Sequence, residues 1–288
     1  MLPVWRTTPT ATLFRDAGLP SGAAALEEAK LRFAVRLQTI DAEHPLVRRI
    51  ATPTIRRGRG AGTRQCPKTK VQRLGALLPS TPRPALAPPH FSPDCRTDPT
   101  KGVKKKEAAK AFEKWWHELP STDVTIFSDG SEQHRYEDRF VGYGYAIYQG
   151  QELVTTGKGS INSTSHVFDA EAIGAWKGLS KAIQLPPELS RRRIWLCIDS
   201  TSVIWCIRGD APISSQWAFL NIQGVMETHD INIRWAPGHM GIKGNELADK
   251  LADAGALQTQ NDTGLAAKPT ASGIRSIARK LRERARQV

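Results

Sequence analysis

Four acids, Asp129, Glu171, Asp199 and Asp249, each lie on or beside an apolar, regularly patterned stretch of this chain. Four carboxylates delivered to one point would repel each other by roughly several kcal/mol in a low dielectric, so they demand bound cations. Hard oxygen ligands with no His or Cys among them favour Mg²⁺ or Mn²⁺ over zinc. Two such ions about 4 Å apart suit phosphodiester chemistry, one activating a water and the other stabilising the leaving oxygen. Taken singly, Glu171 and Asp249 read equally well as acids favoured near a helix N-terminus by the macrodipole. Their joint placement with Asp129 and Asp199 is what points to a metal site.

The elements that must bring these acids together are visible as patterns. Residues 124–128 form a short apolar run rich in β-formers, which puts Asp129 where a buried strand runs into a turn. Residues 193–198 read as the next strand, whose unbroken apolar run after Arg193 closes on Asp199 and suggests burial on both faces. If these two strands are neighbours, their acids meet at the end of the sheet that ligands favour. Glu171 falls in the first turn of a helix over 169–185, with Ala172, Ile173, Trp176, Leu179 and Ile183 on one face. Asp249 falls in the second turn of a helix over 245–257 that turns Leu247, Ala248, Leu251 and Ala254 inward.

Strands over 140–148 and 152–161 complete a set of hairpins, and Gly142 and Gly144 mark close backbone approach in place of phosphate binding. Helices over 201–207 and 214–228 and a strand over 231–236 follow. Hairpins first, then alternating strands and helices, predict an α/β domain with a mixed sheet flanked by helices.

Outside this region the composition changes. Residues 122–258 carry 12 Lys+Arg against 16 Asp+Glu, so the net charge of +13 belongs to the flanks, with 29 Lys+Arg and 12 Asp+Glu. Basic arms around an acidic centre suit a polyanionic partner, bound non-specifically through its phosphates; the plainer reading is a solvated surface. Residues 1–44 show one amphipathic helix, with Ser21 as N-cap and Leu26, Ala29, Phe33, Leu37 and Ile40 on a face. Residues 45–103 read as a Pro/Arg-rich linker, largely disordered, with ten of the chain's 19 prolines and the run Arg56-Arg57-Gly58-Arg59-Gly60. Residues 104–121 predict a helix with Ala108, Phe112, Trp115 and Leu119 on one face, its Trp115-Trp116 pair packing on the domain over 122–258. Residues 259–288 read as a basic tail with a helix.

Cys66, Cys95, Cys197 and Cys206 have no metal-ligand spacing, which suits a reducing compartment without structural zinc. No run of about 18 apolar residues and no signal sequence is evident, so an intracellular protein of nucleus or cytoplasm, with no membrane partner, is expected. The sequons at Asn162 and Asn261 are then chance matches.

Four segments carry a resemblance: Asp129-Gly130-Ser131; Val167-Phe168-Asp169-Ala170-Glu171; Cys197-Ile198-Asp199-Ser200; and the stretch from Gly238-His239-Met240-Gly241 through Asn245 to Asp249. In order, they resemble the motifs of type 1 ribonuclease H. The resemblance implies a five-stranded mixed sheet and hydrolysis of the RNA strand of RNA/DNA hybrids with two Mg²⁺ ions, Mn²⁺ substituting. It implies that Asp129, Glu171, Asp199 and Asp249 are catalytic metal ligands and that His239 assists proton transfer or product release; otherwise His239 is a turn residue without a duty. Gly130, Ser131, Ser200, Thr201 and Asn245 would lie against the substrate. A monomer is expected.

Stand-alone cellular enzymes of this family carry two Asn before the catalytic Glu, where this chain has Val167-Phe168, and hybrid recognition must then rest on backbone groups and shape. No long basic insertion separates Ile207 from Ser214. The Val-Phe-x-Ala-Glu form, with Ser214-Ser215-Gln216-Trp217, resembles the ribonuclease H domains of fungal non-LTR retrotransposon polyproteins. Residues 2–9 and the following helix are similar to the segment that joins reverse transcriptase to ribonuclease H in them, which would make the chain a polyprotein remnant. Two other readings stand beside the enzyme. A nucleic-acid-binding remnant with decayed catalysis is opposed by the intact spacing of the acids, and a transposase or integrase of the same superfold is opposed by the Gly-His-x-Gly loop.

Overall fold

The computed structural model describes residues 9, 12–13, 16–51, 55–57, 63–65, 67–136, 138–186 and 192–287. Residues 2–8, the 58–60 part of the Arg/Gly run, Cys66 and Pro187 lie outside the described residues. The chain divides into two compact units, residues 84–272 and residues 1–83 with 273–288.

In the first of these, the apolar runs become a five-stranded mixed sheet. Its strands are β1 (Val124–Arg135), β2 (Asp138–Gln149), β3 (Glu152–Ser160), β4 (Ile194–Ile198) and β5 (Ile231–Trp235). Their spatial order is β3-β2-β1-β4-β5. The first three pair antiparallel, whereas β4 runs parallel to both β1 and β5. The parallel register sets Ser128 opposite Ile198, so Asp129 and Asp199 are the next residues along two neighbouring strands.

Side chains alternate across this sheet, as strand geometry requires. Ile126, Leu196 and Ile198 pack with α5 (Val167–Ile183), α6 (Thr201–Arg208) and α7 (Gln216–Met226). Phe127 and Cys197 face the other way, into a cluster with α4 (Lys105–Glu118) and α8 (Lys243–Ala256). The Trp pair of α4 does pack on the domain: the Trp116 ring stands edge-on to Phe127 at 5.0 Å and Trp115 to Trp195 at 4.9 Å. Arg234 lies over the Trp115 ring at 4.0 Å.

Three details correct the sequence reading. Strand β1 does not turn after Asp129, because β2 goes on pairing with it from Asp129↔Gly144 to Arg135↔Asp138. Asp129 is therefore a mid-strand residue, one step past the end of the parallel pairing. The buried side of α8 is Gly244, Asn245, Ala248, Ala252, Gly255 and Ala256, with Leu247 and Leu251 flanking it. Small residues are selected there because the helix backbone lies on β2: a Cβ on Gly144 would stand 2.4 Å from the Ala248 carbonyl oxygen. Helix α4 is likewise rotated, burying Ala109, Phe112 and Trp116.

The other unit contains α1 (Gly22–Thr39), α2 (Pro45–Ala51), α3 (Lys70–Gly75) and most of α9 (Ala271–Gln287), with a ribbon pairing Ile55–Arg57 and Thr63–Gln65. Ser21 caps α1, accepting from Ala24 N at 3.2 Å. The buried face of that helix is Leu31, Ala34, Leu37 and Gln38, while Leu26 is 57 % exposed. Two short helices and the ribbon stand within the span that composition reads as linker, and α3 starts on a capping box between Thr69 and Gln72. Ala34, Leu78 and Ala278 form a small apolar cluster. Among the described residues no helix is long and apolar enough to cross a membrane.

Candidate active site

Three of the four acids meet. Asp129, at the end of the parallel pairing of β1, Asp199, just beyond β4, and Glu171, near the start of α5, each offer a carboxylate oxygen within 4.8 Å of the others. Helix α5 reaches the sheet because β1 presents Gly130 to it, where an added Cβ would stand 2.5 Å from the Glu171 amide nitrogen. Asp129 is 7 % exposed, and its Oδ1 accepts the Gly130 N–H at 2.7 Å.

Asp249 is not within that tight group. It lies on α8 with its carboxylate 3.8 Å from His239 Nδ1, near enough for its charge to act on Asp129 and Asp199. His239 is exposed, on a loop where its backbone is left-handed (φ 56°) and Gly241 follows at φ 82°. A side chain so placed is free to approach whatever binds over the acids.

The carboxylates of the cluster are partly desolvated and repel one another. Burial, then the charge of Asp199, raises the Asp129 carboxyl well above the usual range. Burial lifts Glu171 to about 7, a hydrogen bond from the Ser200 hydroxyl opposing it and the Asp199 charge adding to it. Asp199 is raised by burial, with His239 and Lys105 pulling it back and Asp249 adding to the rise. Asp249 is raised by burial too, against His239. Oxygen donors alone, mutually repelling and partly desolvated, fit a divalent cation of the Mg²⁺ or Mn²⁺ type.

The residues expected against the substrate are placed variously. Gly130 is taken up by the contact with α5. The Ser131 hydroxyl donates to Asp253 Oδ1 at 2.6 Å. Ser200 caps α6, accepting from Val203 N at 3.4 Å, and Thr201 is the first residue of that helix. Asn245 is buried, and its Oδ1 has no protein partner among the described residues. Val167 is 39 % exposed, with its N–H donated to Glu132 Oε2 at 2.9 Å, while Phe168 stacks on Phe219 with ring centroids 5.8 Å apart.

Sequence reasoning passed over two residues that the structure makes prominent. Lys105, at the start of α4, acts on Asp199 from outside the motif segments. Asp169, inside a motif but given no role, is fully buried and accepts hydrogen bonds from Ser214, Ser215, Thr270 and Ser272. An acid flanked by apolar residues at the start of a helix was the available signal.

Residues 121–257 match the family described as RNase H. The chain is 23 % identical over 139 residues to a ribonuclease H of Ralstonia nicotianae, covering 46 % of this chain and 91 % of that protein. It is 34 % identical over 61 residues to a ribonuclease H of Actinobacillus succinogenes, covering 21 % of this chain and 40 % of that protein. Among solved structures, the N-terminal RNase H domain of a Mycobacterium tuberculosis protein is 23 % identical with a TM-score of 0.38, covering 46 % of this chain and 96 % of that one. A foamy viral protease-reverse transcriptase in complex with RNA/DNA hybrid is 18 % identical with a TM-score of 0.41, covering 48 % and 21 %.

Proposed function

We propose that the chain, whose residues 121–257 match the RNase H family, is a divalent-metal-dependent endoribonuclease that hydrolyses the RNA strand of RNA/DNA hybrids. The observation that carries this reading is the meeting of Asp129, Glu171 and Asp199 within 4.8 Å, with Asp249 and His239 beside them. Asp129, Glu171, Asp199 and Asp249 would hold two Mg²⁺ ions, for which Mn²⁺ could substitute. Ions bound there would supply Lewis acidity, activating a water and stabilising the leaving oxygen.

The chain's own residues do the rest. The pairing of β1 with β4 sets Asp129 beside Asp199, just beyond β4, and leaves the two little freedom to relax from one another. The Ser200 hydroxyl orients Glu171 by donating to it. His239, on its exposed loop, would accept or return a proton and leave with the product. Gly130, Ser131, Ser200, Thr201 and Asn245 belong to the surface or the support of the groove that receives the hybrid. Basic side chains of the flanks add non-specific phosphate affinity.

The Val-Phe-x-Ala-Glu form supports a further step, that the domain derives from a retroelement polyprotein of the fungal non-LTR type. An intracellular setting, nucleus or cytoplasm, and a monomeric enzyme go with this reading. The test is incubation of the full chain with a hybrid labelled on each strand in turn, with and without Mg²⁺. The expected result is internal cleavage of the RNA strand only when the cation is present. Tight hybrid binding without cleavage in Mg²⁺ or Mn²⁺ would leave a decayed binding protein instead.

A further inference from the structure

We infer that Asp169 is a positioning residue for Glu171, and that Thr270 and Ser272, beyond the family-matched residues, belong to the scaffold of the active site. This rests on the function proposed above. Asp169 is 0 % exposed, and burying a carboxylate without compensation costs several kcal/mol or more. No cation compensates it among the described residues. Its Oδ1 accepts the hydroxyls of Ser214 at 2.7 Å and Ser215 at 2.8 Å. Its Oδ2 accepts Thr270 Oγ1 at 2.9 Å, the His166 N–H at 3.1 Å and the hydroxyl of Ser272. Ser272 N closes the network by donating to Ser214 Oγ at 3.0 Å.

Three stretches of chain are tied together by this one side chain: the start of α5, the entry to α7, and the segment that leads into α9. A fully satisfied buried polar network is rigid. Ser215, one of its hydroxyl donors, has a left-handed backbone (φ 53°).

The link to Glu171 is helical geometry. Residues two apart in an α-helix point about 200° apart, so Asp169 and Glu171 lie on opposite sides of α5. On the Glu171 side the helix backbone rests against Gly130 of β1. On the other side it is held by the hydroxyl network. The first turns of α5 are gripped between the two, and release of one grip lets the Glu171 carboxylate move relative to Asp129 and Asp199. The segment carrying Thr270 and Ser272 is itself pinned. Asp262 accepts from Tyr143 Oη at 2.7 Å and pairs with Lys177 Nζ at 2.7 Å, and Asn162 Nδ2 donates to the Ala267 carbonyl at 2.9 Å.

The experiment uses the full chain with Asp169→Asn, and with Thr270→Val plus Ser272→Ala. The double variant is the milder change and decides the matter if Asp169→Asn does not fold. For a folded variant, kcat on hybrid is expected to fall about tenfold or more, as displacement of a catalytic group by a fraction of an ångström implies. The KM for hybrid holds, and the Mg²⁺ concentration for half-saturation, read by calorimetric titration as well as by rate, rises. A purely structural role would lower Tm and leave kcat and the Mg²⁺ titration unchanged, and that result overturns the inference. The parental chain is the control: if it cuts no hybrid, the proposed function has failed, and the calorimetric Mg²⁺ titration alone then decides whether Asp169 orders the acids.

Discussion

A Cβ on Gly238 would stand 2.3 Å from Oδ2 of Asp199, so the loop that carries His239 touches the carboxylate through a residue with no side chain. Gly238→Ala must therefore push either the Asp199 carboxylate or the loop aside. Misplacement by about 1 Å can cost a hundredfold in rate, and a fall in kcat of about tenfold or more is expected, with the circular dichroism spectrum unchanged. A folded variant that cuts at the parental rate would show that the loop gives way without consequence.

The acid cluster also sets how stability depends on pH. Burial lifts Glu171 to about 7 and raises Asp129 and Asp199 in the same direction. Between the ordinary carboxylate range near 4.5 and about 7, the native state then holds protons that the unfolded chain has released. More protons bound in the native state means that stability falls as pH rises through that window. Metal-free protein should lose Tm from pH 5 to pH 7.5, and the Tm gain from Mg²⁺ should grow over the same range, because the cation favours the ionised carboxylates. A metal-free Tm that climbs with pH there would contradict the burial of these groups.

The resemblance would set Val167 and Phe168 where the cellular enzymes carry two Asn, and the two side chains differ in their surroundings. Val167 is exposed, whereas Phe168 is half-buried against the core and stacked on Phe219. Val167→Asn should tighten hybrid binding several-fold without touching stability, measured as Kd under non-cleaving conditions. Phe168→Asn should cost about 3 kcal/mol of stability or more. Equal Kd values for parent and Val167→Asn would remove residue 167 from the substrate surface.

Much of this site was legible because strands announce themselves. The apolar runs before Asp129 and Asp199 sit on parallel neighbours, and β-period patterning carries that information locally. What was not legible depended on partners distant in sequence. That β1 continues past Asp129 is decided by β2, which pairs with residues whose own sequence, Gly130 and Ser131, looks like a turn. The inward face of α8 departs from its pattern for a related reason. Hydrophobic periodicity turns Leu247, Ala248, Leu251 and Ala254 inward, and of these only Ala248 is buried; close approach to Gly144 of β2 brings Ala252 in beside it, and Gly244 lies against the Phe127 ring. The role of Asp169 was hidden because its hydroxyl partners lie up to 103 residues away.

Helix α9 presents Arg275, Arg279, Lys280 and Arg284 as exposed cations, while Arg282 and Arg286 are drawn to Glu28 at 3.7 and 2.8 Å. Deleting residues 268–288 would also remove the Thr270 and Ser272 hydroxyls, so a cleaner test of phosphate affinity neutralises side chains. Arg275→Gln with Arg279→Gln and Arg284→Gln should flatten the salt dependence of hybrid binding by roughly one log unit for each phosphate that is no longer neutralised. An unchanged slope would leave these residues as a solvated face.

Replacing Asp199 by Asn tests the metal site itself. The change keeps the shape of a side chain just beyond β4 and removes one negative charge. A carboxylate that merely satisfied local hydrogen bonds would tolerate it with little change in activity. A metal ligand should not, since stabilisation of this type is commonly worth about 3 kcal/mol, a hundredfold or larger effect on kcat. The same change relieves repulsion on Asp129 and Glu171, both of which feel the Asp199 charge. The metal-free Tm of Asp199→Asn should therefore hold or rise, while its Mg²⁺-induced stabilisation shrinks. Hybrid cleavage and thermal melting, each with and without Mg²⁺, measure both arms. An Asp199→Asn protein that cuts hybrid at the parental rate and keeps its full Mg²⁺ shift would take Asp199 out of the metal site, and with it the reason for one buried and two half-buried acids to share one point.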